Sequence, residues 1–305
     1  MDVMPVVNAL KGSEIQTGVP MSKHTSFRLG GPADAMLFPR SDDEILRAFA
    51  LCKDAGVPVT VIGNGTNLVV RDGGIRGLVI KIGQGMGRIA FEGTRAVAQA
   101  GARLMTFAST AINEKKLAGL AFAGGIPGSV GGAVAMNAGA YGSEIKDVVR
   151  KVRYVDPESM TVVERKVEDG DFRYRSSVFL ERGYVVLEAE FELAPDDGTE
   201  KQKLEEYLAS RKKKQPVTLP SAGSVFKRPQ GHYAGALIEQ AGLKGVSVGG
   251  AQVSELHAGF IVNTGNATAR DVITLIELIQ KRVYEHSGVM LCPEVRIIGE
   301  ERPWN

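Results

Sequence analysis

One uncharged stretch constrains the fold more than any other, and it reads Gly119-Leu120-Ala121-Phe122-Ala123-Gly124-Gly125-Ile126-Pro127-Gly128-Ser129-Val130-Gly131-Gly132-Ala133-Val134-Ala135-Met136-Asn137-Ala138-Gly139-Ala140-Tyr141-Gly142. No residue between Lys116 and Glu144 carries a charge, which is a property of membrane helices. Repeated glycine, however, lowers helix propensity by about 1 kcal/mol per site, and Pro127 would interrupt the helix. We therefore interpret the stretch as backbone that runs very close to a partner, such as a phosphate-bearing cofactor.

A second glycine-containing loop lies earlier in the chain and reads Val61-Ile62-Gly63-Asn64-Gly65-Thr66-Asn67-Leu68-Val69-Val70. Its β-branched flanks predict a strand–turn–strand arrangement, and on its own the loop is equally compatible with an ordinary tight turn. Because two glycine-rich segments lie about 60 residues apart, we expect an extended ligand such as a flavin dinucleotide. Neither a G-x-x-x-x-G-K-[ST] loop nor a G-x-G-x-x-G turn after an early strand is present.

The composition is that of an ordinary globular protein. The 305 residues are 44% hydrophobic and 24% charged, and the formal net charge is +2. This length allows two or three domains, and this charge gives no electrostatic reason to expect a nucleic-acid partner. Residues 1–5 lack the basic and apolar regions of a signal peptide, so we expect a cytoplasmic protein with no membrane span.

The cysteines and histidines predict neither a disulfide nor a metal site. Cys52 and Cys292 lie far apart in different surroundings, which argues against a structural disulfide. The four histidines show no metal-ligand spacing, and they are His24, His232, His257 and His286. None of them is expected to carry a covalent flavin.

Local patterns in the first half predict alternating strands and helices. Ser41 and Glu44 form a capping box for a helix that Gly56 ends, and residues 57–62 follow as a strand. A strand at 96–100 and a helix over about 104–116 then precede the glycine-rich stretch.

The second half predicts strands followed by two helices. Residues 149–155, 161–163 and 185–191 alternate as strands do, and residues 200–214 form a charged helix. The last helix begins at a Thr268/Asp271 capping box and ends at Gly288, with a buried stripe of Val272, Leu275, Ile276, Ile279 and Val283. Residues 289–291 and 295–298 are expected to be extended.

Six motifs occur in a fixed order and together resemble the UDP-N-acetylenolpyruvoylglucosamine reductase family. They run from about residue 20 to 299, nearly the whole chain, so the ordered set is far more specific than any one motif. The motifs are Thr25-Ser26-Phe27-Arg28-Leu29-Gly30-Gly31-Pro32-Ala33, Gly63-Asn64-Gly65-Thr66-Asn67, the glycine-rich run at 124–133, Tyr174-Arg175-Ser176-Ser177, Ala222-Gly223-Ser224-Val225-Phe226-Lys227 and Pro293-Glu294-Val295-Arg296.

This resemblance implies an α+β fold, in which a two-part FAD-binding unit of the vanillyl-alcohol-oxidase-like type precedes a smaller α+β substrate-binding domain. The expected segments are a leader at 1–20, FAD-binding subdomains at 21–90 and 91–214, and a substrate-binding domain at 215–305. The separation between Arg175 and Ser224 matches the shorter form of the family, which lacks an extra loop over the substrate. A monomer is expected.

The resemblance also implies a reaction. NADPH would reduce a non-covalent FAD, which would then reduce the enolpyruvyl ether of UDP-N-acetylglucosamine enolpyruvate to UDP-N-acetylmuramate for peptidoglycan synthesis. An enol ether accepts hydride when its carboxylate can absorb negative charge, so the site must supply positive charge and a proton donor. By resemblance, Arg175 and Glu294 would activate the substrate carboxylate and Ser224 would donate the proton.

Each of these residues also has an ordinary structural interpretation when the motifs are set aside. Arg175 would lie in a surface turn, Ser224 would be a turn residue, and Glu294 would pair with Arg296 at a strand edge. The resemblance assigns the pyrophosphate to Asn64, Gly65, Thr66 and Asn67. The ribityl chain and ring are assigned to Gly124, Gly125, Ser129 and Gly132. Lys227, like Arg28, is a candidate for phosphate or substrate binding, and a surface salt bridge is nearly as compatible with either.

Two other functions stay open at this point. The first is an FAD-dependent oxidase on the same flavin scaffold, which would leave the set of Arg175, Ser224 and Glu294 unexplained. The second is a sugar-nucleotide-binding protein without turnover, which would purify without a flavin that nicotinamide can reduce.

Overall fold

The computed structural model describes residues 2–301, which form two compact units. Unit 1 comprises the chain up to Gln16 together with Ala35–Asn64 and Gly77–Ser210. Unit 2 comprises Thr17–Asp34, Gly65–Arg76 and the chain from Arg211 onward. Each unit is therefore assembled from separate stretches of sequence. The division into segments at 1–20, 21–90, 91–214 and 215–305 stays a prediction.

Helices are distributed along the whole described chain. The α-helices are α1 (Met4–Ala9), α2 (Asp42–Asp54), α3 (Leu104–Asn113), α4 (Val130–Met136), α5 (Ile145–Val148), α6 (Val178–Glu181), α7 (Glu200–Lys214), α8 (Ala234–Gln240) and α9 (Ala269–Ser287). Short 3-10 helices occur at Met21–Lys23, Gln84–Met86 and Ala121–Ala123.

Strands are short and numerous. In the first half they are β1 (Ile15–Pro20), β2 (Pro32–Leu37), β3 (Val59–Ile62), β4 (Leu68–Val70), β5 (Ile75–Lys81), β6 (Ile89–Glu92), β7 (Arg95–Gln99), β8 (Leu117–Ala118), β9 (Gly139–Ala140) and β10 (Ser143–Glu144). In the second half they are β11 (Val149–Asp156), β12 (Thr161–Lys166), β13 (Phe172–Arg173), β14 (Ser176–Ser177), β15 (Val185–Glu192), β16 (Ala194–Pro195), β17 (Ser247–Val248), β18 (Ala251–Val253), β19 (Ile261–Asn263) and β20 (Arg296–Ile298).

Unit 1 is built around a five-stranded antiparallel sheet with the order β12-β11-β15-β7-β6. Helix α4 packs against β15. In the same unit, residues 59–62 of β3 pair in parallel with residues 78–81 of β5. The aromatic residues Phe107 and Phe191 pack with ring centroids 4.9 Å apart in the buried core of this unit. Because α4 belongs to the glycine-rich stretch and packs against β15, the stretch lies against this apolar core.

The first predicted helix is confirmed, with one difference at its cap. Helix α2 starts after Ser41, whose hydroxyl accepts the Glu44 N–H at 3.3 Å. The Glu44 carboxylate accepts the N–H of Arg40 at 2.6 Å, one residue earlier than a capping box requires. Gly56 lies just past the end of the helix with φ +62°, as a glycine stop should. Strand β3 begins two residues later than predicted.

Helix α3 is shorter than the predicted 104–116. It ends at Asn113, because Lys116 takes a left-handed conformation with φ +56°. The Lys116 ammonium group donates to the Asn113 carbonyl at 2.8 Å. A cation thus satisfies one of the orphan carbonyls at the helix end.

The glycine-rich stretch contains a helix that propensity argues against. Helix α4 is capped by Ser129, whose hydroxyl accepts the Gly132 N–H, and ends at Asn137 in a left-handed conformation. A Cβ atom at Gly131 would lie 2.7 Å from that of Ala100. Close packing against its own protein therefore explains this glycine, since tertiary contact overrides intrinsic propensity.

Unit 2 combines the sheet β17-β18-β19 with α8 and α9. Helix α9 has the predicted capping box in full, because Thr268 and Asp271 each bond the other's backbone N–H. All five residues of its predicted apolar stripe are buried, and Gly288 ends it with φ +71°. Strand β20 pairs in parallel with β4 at Arg296↔Leu68.

Residues 289–291, which were expected to be extended, are assigned to neither a helix nor a strand, and strand β20 begins at Arg296. The carbonyl oxygen of Leu291 accepts the side-chain amide of Gln280 at 2.8 Å, and that of Cys292 accepts the Lys227 N–H at 2.9 Å. Pro293 has no N–H to donate. The segment is therefore held by individual bonds rather than by a ladder.

Candidate functional site

The structure brings the two glycine segments together within unit 1. A Cβ atom at Gly63 would lie 2.4 Å from the Ser129 hydroxyl oxygen, so the first loop passes directly over the cap of α4. The two segments were predicted to serve one extended ligand, and their adjacency is what that prediction requires. Only glycine at position 63 allows this approach without displacing Ser129.

The amides at the start of α4 are already bonded within the protein. The N–H groups of Val130 and Gly131 donate to the carbonyls of Ala102 and Ala100, each at 2.9 Å, and that of Gly132 donates to Ser129. These donors are not available to a phosphate. Gly132 is nevertheless exposed, and a Cβ there would meet only the Ser129 hydroxyl at 3.4 Å. Bare backbone of this kind suits a flat ring or a sugar chain.

Gly124 is explained by packing in the same unit. A Cβ atom at this position would lie 2.2 Å from Cδ1 of Leu204 on α7. The neighbouring backbone is fixed by the buried carboxylate of Glu200, which accepts the N–H groups of Gly119 and Ala121 at 2.8 and 2.9 Å. Helix α7 thus sets the path of the glycine-rich stretch.

Gly65 is fixed by the first motif, within unit 2. Its φ is +65°, and a Cβ would lie 2.2 Å from the carbonyl oxygen of His24. The Gly65 carbonyl accepts the Ser26 N–H at 3.1 Å. No side chain larger than hydrogen fits at this position, which explains why the loop reads Gly-Asn-Gly.

The same loop provides donors that suit a pyrophosphate. Within residues 2–301, no acceptor bonds the backbone N–H groups of Asn64 and Gly65. Two successive amides without protein acceptors match the chemistry of an anion-binding loop. Within unit 1, the Asn64 amide suits the pyrophosphate of FAD, which needs N–H groups, and the open backbone of Gly132 suits its flat ring.

Three predicted site segments meet in unit 2. The backbone N–H of Glu294 donates to the Val225 carbonyl at 2.7 Å, and Val225 directly follows Ser224. The Asn67 side-chain amide donates to the Glu294 carbonyl at 3.1 Å, and the Arg296 N–H donates to the Asn67 carbonyl at 3.0 Å. Backbone bonds therefore hold a predicted flavin residue beside both predicted acid–base residues. Ser224 is exposed and Glu294 is half-buried.

Lys227 lies two residues beyond Val225 on the same segment. Its backbone N–H donates to Cys292, and its side chain is half-buried. Arg28, the other predicted cation, is exposed and takes φ +56° in the first motif. The structure therefore leaves both residues as candidates for phosphate binding.

Arg175 lies in unit 1, in the hairpin of β13 and β14. Its φ of +54° is strained for a residue with a side chain, and such strain often marks functional turns. The guanidinium donates to the Gly139 carbonyl at 2.8 Å and lies 4.0 Å from the Glu144 carboxylate. The side chain is only 20% exposed, so its direction is set by these partners.

A buried asparagine that sequence reasoning missed supports this arrangement. Asn137 is completely buried, and its amide donates to Glu144 at 3.0 Å and to the Arg173 carbonyl at 3.1 Å. Its side-chain oxygen accepts the Lys146 N–H at 3.1 Å. The signal was present in the sequence, since asparagine tolerates the left-handed helix end that follows α4.

The predicted residues divide between the units. Unit 1 holds Asn64, Gly124, Gly125, Ser129, Gly132 and Arg175, and unit 2 holds Gly65, Thr66, Asn67, Ser224, Lys227 and Glu294. The two cysteines are free, as expected, with Cys52 buried and Cys292 exposed. Across residues 2–301, the helices fall short of the length and apolar character that a membrane crossing needs.

Two family models match the chain. One is described as an FAD binding domain and matches residues 33–164. The other is described as the C-terminal domain of UDP-N-acetylenolpyruvoylglucosamine reductase and matches residues 215–298. The α+β fold, with an FAD-binding region ahead of a smaller C-terminal domain, is thereby confirmed.

Whole-length relatives agree with these models. The chain is 50% identical over 293 residues to UDP-N-acetylenolpyruvoylglucosamine reductase of Caldanaerobacter subterraneus, with 96% of each chain covered. It is 46% identical over 297 residues to the enzyme of that name from Clostridioides difficile, with 97% of each covered. The crystal structure of the Thermus caldophilus enzyme superposes with a TM-score of 0.79 at 32% identity, covering 93% of this chain and 98% of that one. With this identity over nearly its whole length, and with the motif residues placed as described, the chain belongs to the UDP-N-acetylenolpyruvoylglucosamine reductase family of FAD-binding oxidoreductases.

Proposed function

We propose that this protein catalyses the NADPH-dependent reduction of UDP-N-acetylglucosamine enolpyruvate to UDP-N-acetylmuramate, in the cytoplasm, for peptidoglycan synthesis. The observation that carries the proposal is the backbone junction at Val225, which holds Ser224 and Glu294 next to each other in unit 2. Ser224 and Glu294, whose backbones are held in this way, carry a hydroxyl and a carboxyl group that match the need for a proton donor and a group that handles the substrate carboxylate.

FAD, bound without a covalent link, would supply the hydride chemistry of this reaction, with NADPH as its reductant. The residues proposed to hold its pyrophosphate are Asn64, Gly65, Thr66 and Asn67. Those proposed along its ribityl chain and ring are Gly124, Gly125, Ser129 and Gly132. Support comes from the amides of Asn64 and Gly65 and from the open backbone at Gly132. Gly124 contributes indirectly, since it lets α7 pack against this backbone.

Arg175 binds and polarises the substrate carboxylate in this proposal. A guanidinium can form two parallel hydrogen bonds with a carboxylate and stays charged throughout. The hydrogen bond from the guanidinium to the Gly139 carbonyl, together with the nearby Glu144 carboxylate, keeps the Arg175 side chain from rotating freely. The group is therefore oriented before substrate binds, which lowers the entropic cost of the transition state.

Ser224 supplies the proton to the carbon next to the one that receives hydride. A hydroxyl is a weak acid, so it protonates only a strongly basic carbon, and the enolate-like form of the substrate is such a base. The O–H bond breaks as the new C–H bond forms, and the serine then regains a proton from water. Exposure of Ser224 leaves its hydroxyl accessible to substrate and to solvent.

Glu294 is proposed to assist at the substrate carboxylate, and Lys227 to bind the nucleotide phosphates. Both lie on segments anchored to one another, because Lys227 bonds Cys292 and Glu294 bonds Val225 through the main chain. The backbone rather than the side chains thus sets their spacing.

The test is an anaerobic absorbance spectrum of the purified protein, followed by additions of NADPH and then of UDP-N-acetylglucosamine enolpyruvate. We expect a flavin band that NADPH bleaches and that the enolpyruvyl substrate restores. A band that bleaches and does not return would contradict the substrate assignment and favour an oxidase. A protein that shows no band even after FAD is added would contradict the cofactor assignment.

A further inference from the structure

A tight loop in unit 2 fixes the protonation form of one histidine. Nδ1 of His257 accepts the backbone N–H of Gly259 at 3.0 Å, so the ring proton resides on Nε2. The Ser254 hydroxyl accepts the His257 N–H at 3.3 Å, and the Phe260 N–H donates to the His257 carbonyl at 3.0 Å. The loop is therefore closed around a neutral imidazole.

Two glycines make room for the ring. A Cβ atom at Gly259 would lie 2.9 Å from Cε1 of His257, and one at Gly235 of α8 would lie 3.2 Å from it. The Phe260 ring meets the imidazole edge-on, with centroids 5.1 Å apart. His257 is thus packed against backbone on two sides, which restricts it to one orientation.

The loop connects directly to the proposed proton donor. The Gly259 carbonyl accepts the Val225 N–H at 2.9 Å, and Phe260 pairs with Ser224 in an antiparallel bridge. Val225 in turn accepts the Glu294 N–H at 2.7 Å. Gly259 therefore bonds the histidine through its N–H group and the Ser224 segment through its carbonyl group.

We propose that His257 is a positioning residue for proton delivery, in which its neutral imidazole accepts the Gly259 N–H and so holds Ser224 and Glu294 in register. The inference rests on the proposed function of Ser224. His257 touches no reacting atom in this scheme. It acts only through the peptide units of Gly259 and Val225.

Protonation of the His257 ring would remove the hydrogen bond that Nδ1 accepts from the Gly259 N–H. An imidazolium carries a hydrogen on Nδ1, which then faces the Gly259 N–H instead of accepting it. Burial lowers the pKa of His257, so the neutral form predominates around neutral pH. The charged groups nearby are Lys244, which also lowers this pKa, and Glu239, which raises it, and these two form a salt bridge at 2.6 Å. Glu255, in the same loop, is exposed.

The experiment uses side chains that copy one ring nitrogen at a time. His257→Asn places an amide oxygen near the position of Nδ1, which accepts a hydrogen bond and does not titrate in this range. His257→Gln places its amide nearer to Nε2 and leaves the Gly259 N–H unpaired. The matched control is His286→Asn, at the exposed end of α9. For each holoenzyme, the rate at which UDP-N-acetylglucosamine enolpyruvate reoxidises the reduced flavin is measured from about pH 5 to pH 8.

We expect the unmodified protein and His286→Asn to lose rate as pH falls, while His257→Asn keeps its rate in acid. We expect His257→Gln to be slower by about tenfold to a hundredfold, the cost of one unpaired buried N–H. Reduction of the flavin by NADPH should be the same in all four proteins. An acid decline that is absent from the unmodified protein, or that persists in His257→Asn, would overturn the proposal.

A second measurement detects the protonation of His257 directly in the unmodified protein, without substrate turnover. Proton–nitrogen correlation spectra of the four histidine rings should show His257 with a bare Nδ1 and a pKa below the ordinary value for histidine. A protonated Nδ1 at neutral pH would overturn the proposal.

Ser224→Ala is measured in parallel, because an unaffected reoxidation rate there would refute the role of Ser224 itself. A selective loss in Ser224→Ala with unchanged His257 variants would refute the positioning role alone.

Discussion

Glu294 donates its backbone N–H to the carbonyl of Val225 at 2.7 Å, and this bond helps to hold its backbone beside Ser224, a residue far away in sequence. Asn67 joins the same junction through its side-chain bond to Glu294. Because main-chain bonds set these positions, side-chain substitutions at Ser224 or Glu294 can remove a chemical group without removing the scaffold. The acid–base roles can therefore be tested one at a time.

Ser224→Ala should separate the two half-reactions. Flavin reduction by NADPH should remain nearly intact, and reoxidation by the enolpyruvyl substrate should slow by roughly 10²–10⁴-fold, the usual effect of losing a general acid. Ser221→Ala is the control, since it removes a hydroxyl from the same segment and keeps the carbonyl that Ser26 bonds at 2.6 Å. Stopped-flow absorbance measures both steps. Equal losses in the two steps would contradict proton donation.

Arg175→Lys should weaken the action on substrate while it retains the positive charge. Lysine has no planar fork for a carboxylate, so we expect the reoxidation step to lose about tenfold to a hundredfold. Arg173→Lys, on the same hairpin, is the control because Arg173 pairs with Glu181 at 3.0 Å in an exposed ion pair. If both variants behave alike, Arg175 has no special role at the carboxylate.

The sequence predicted those features that depend on local chemistry. Thr268 and Asp271 predict the start of their helix, because a capping box is formed by residues three apart. The structure contains both of its hydrogen bonds. The motif residues Ser224 and Glu294 were found by their order along the chain. The hydrogen bond between Glu294 and Val225 was not predicted, because both residues form it through the backbone and their side chains give no indication of it.

Features that arise from tertiary packing escaped prediction. Helix α4 forms despite its glycines because Gly131 lets it lie against Ala100, a contact between residues far apart in sequence. The hydrogen bonds of Asn137 to Glu144 and Arg173 depend on a left-handed backbone that the sequence permits and does not require. Local propensity is a weak guide wherever such long-range contacts decide the conformation.

Gly65→Ala should lower the free energy of unfolding by more than the positive φ of Gly65 alone would explain. The added methyl group would lie 2.2 Å from the His24 carbonyl oxygen, so backbone has to move. Gly56→Ala is a matched control, because Gly56 has nearly the same φ, +62° against +65°, with no atom within 4 Å of the added carbon. We expect about 1–2 kcal/mol of destabilisation for the control, from left-handed strain.

Urea unfolding gives the free energies for these glycine variants, and absorbance gives their flavin content. Gly65→Ala should exceed the control in destabilisation and should also lose bound flavin. Comparable stability and comparable flavin in the two variants would show that the loop adapts, and the close approach to His24 would then have no consequence.

Glu200→Ala should destabilise the glycine-rich stretch. It removes the carboxylate that accepts the N–H groups of Gly119 and Ala121, and unpaired buried donors cost about 1–3 kcal/mol each. Glu205→Ala, an exposed position on the same helix, is the control and should stay within about 0.5 kcal/mol. Urea unfolding of both variants provides the comparison. A loss for Glu200→Ala no larger than for Glu205→Ala would show that water replaces the carboxylate.

The thiols should differ sharply in reactivity. Burial raises the pKa of Cys52 from 9.0 to about 11, so at about pH 8 this side chain is a protonated and shielded thiol, whereas Cys292 is exposed. We expect a thiol reagent to modify one group per folded chain and two per unfolded chain, and none in folded Cys292→Ser. Since the unfolded thiol ionises before the folded one, Cys52 also makes stability fall as pH rises from about 9 toward 11. Cys52→Ala should remove that part of the alkaline loss, and rapid labelling of Cys52 in the folded protein would contradict its burial.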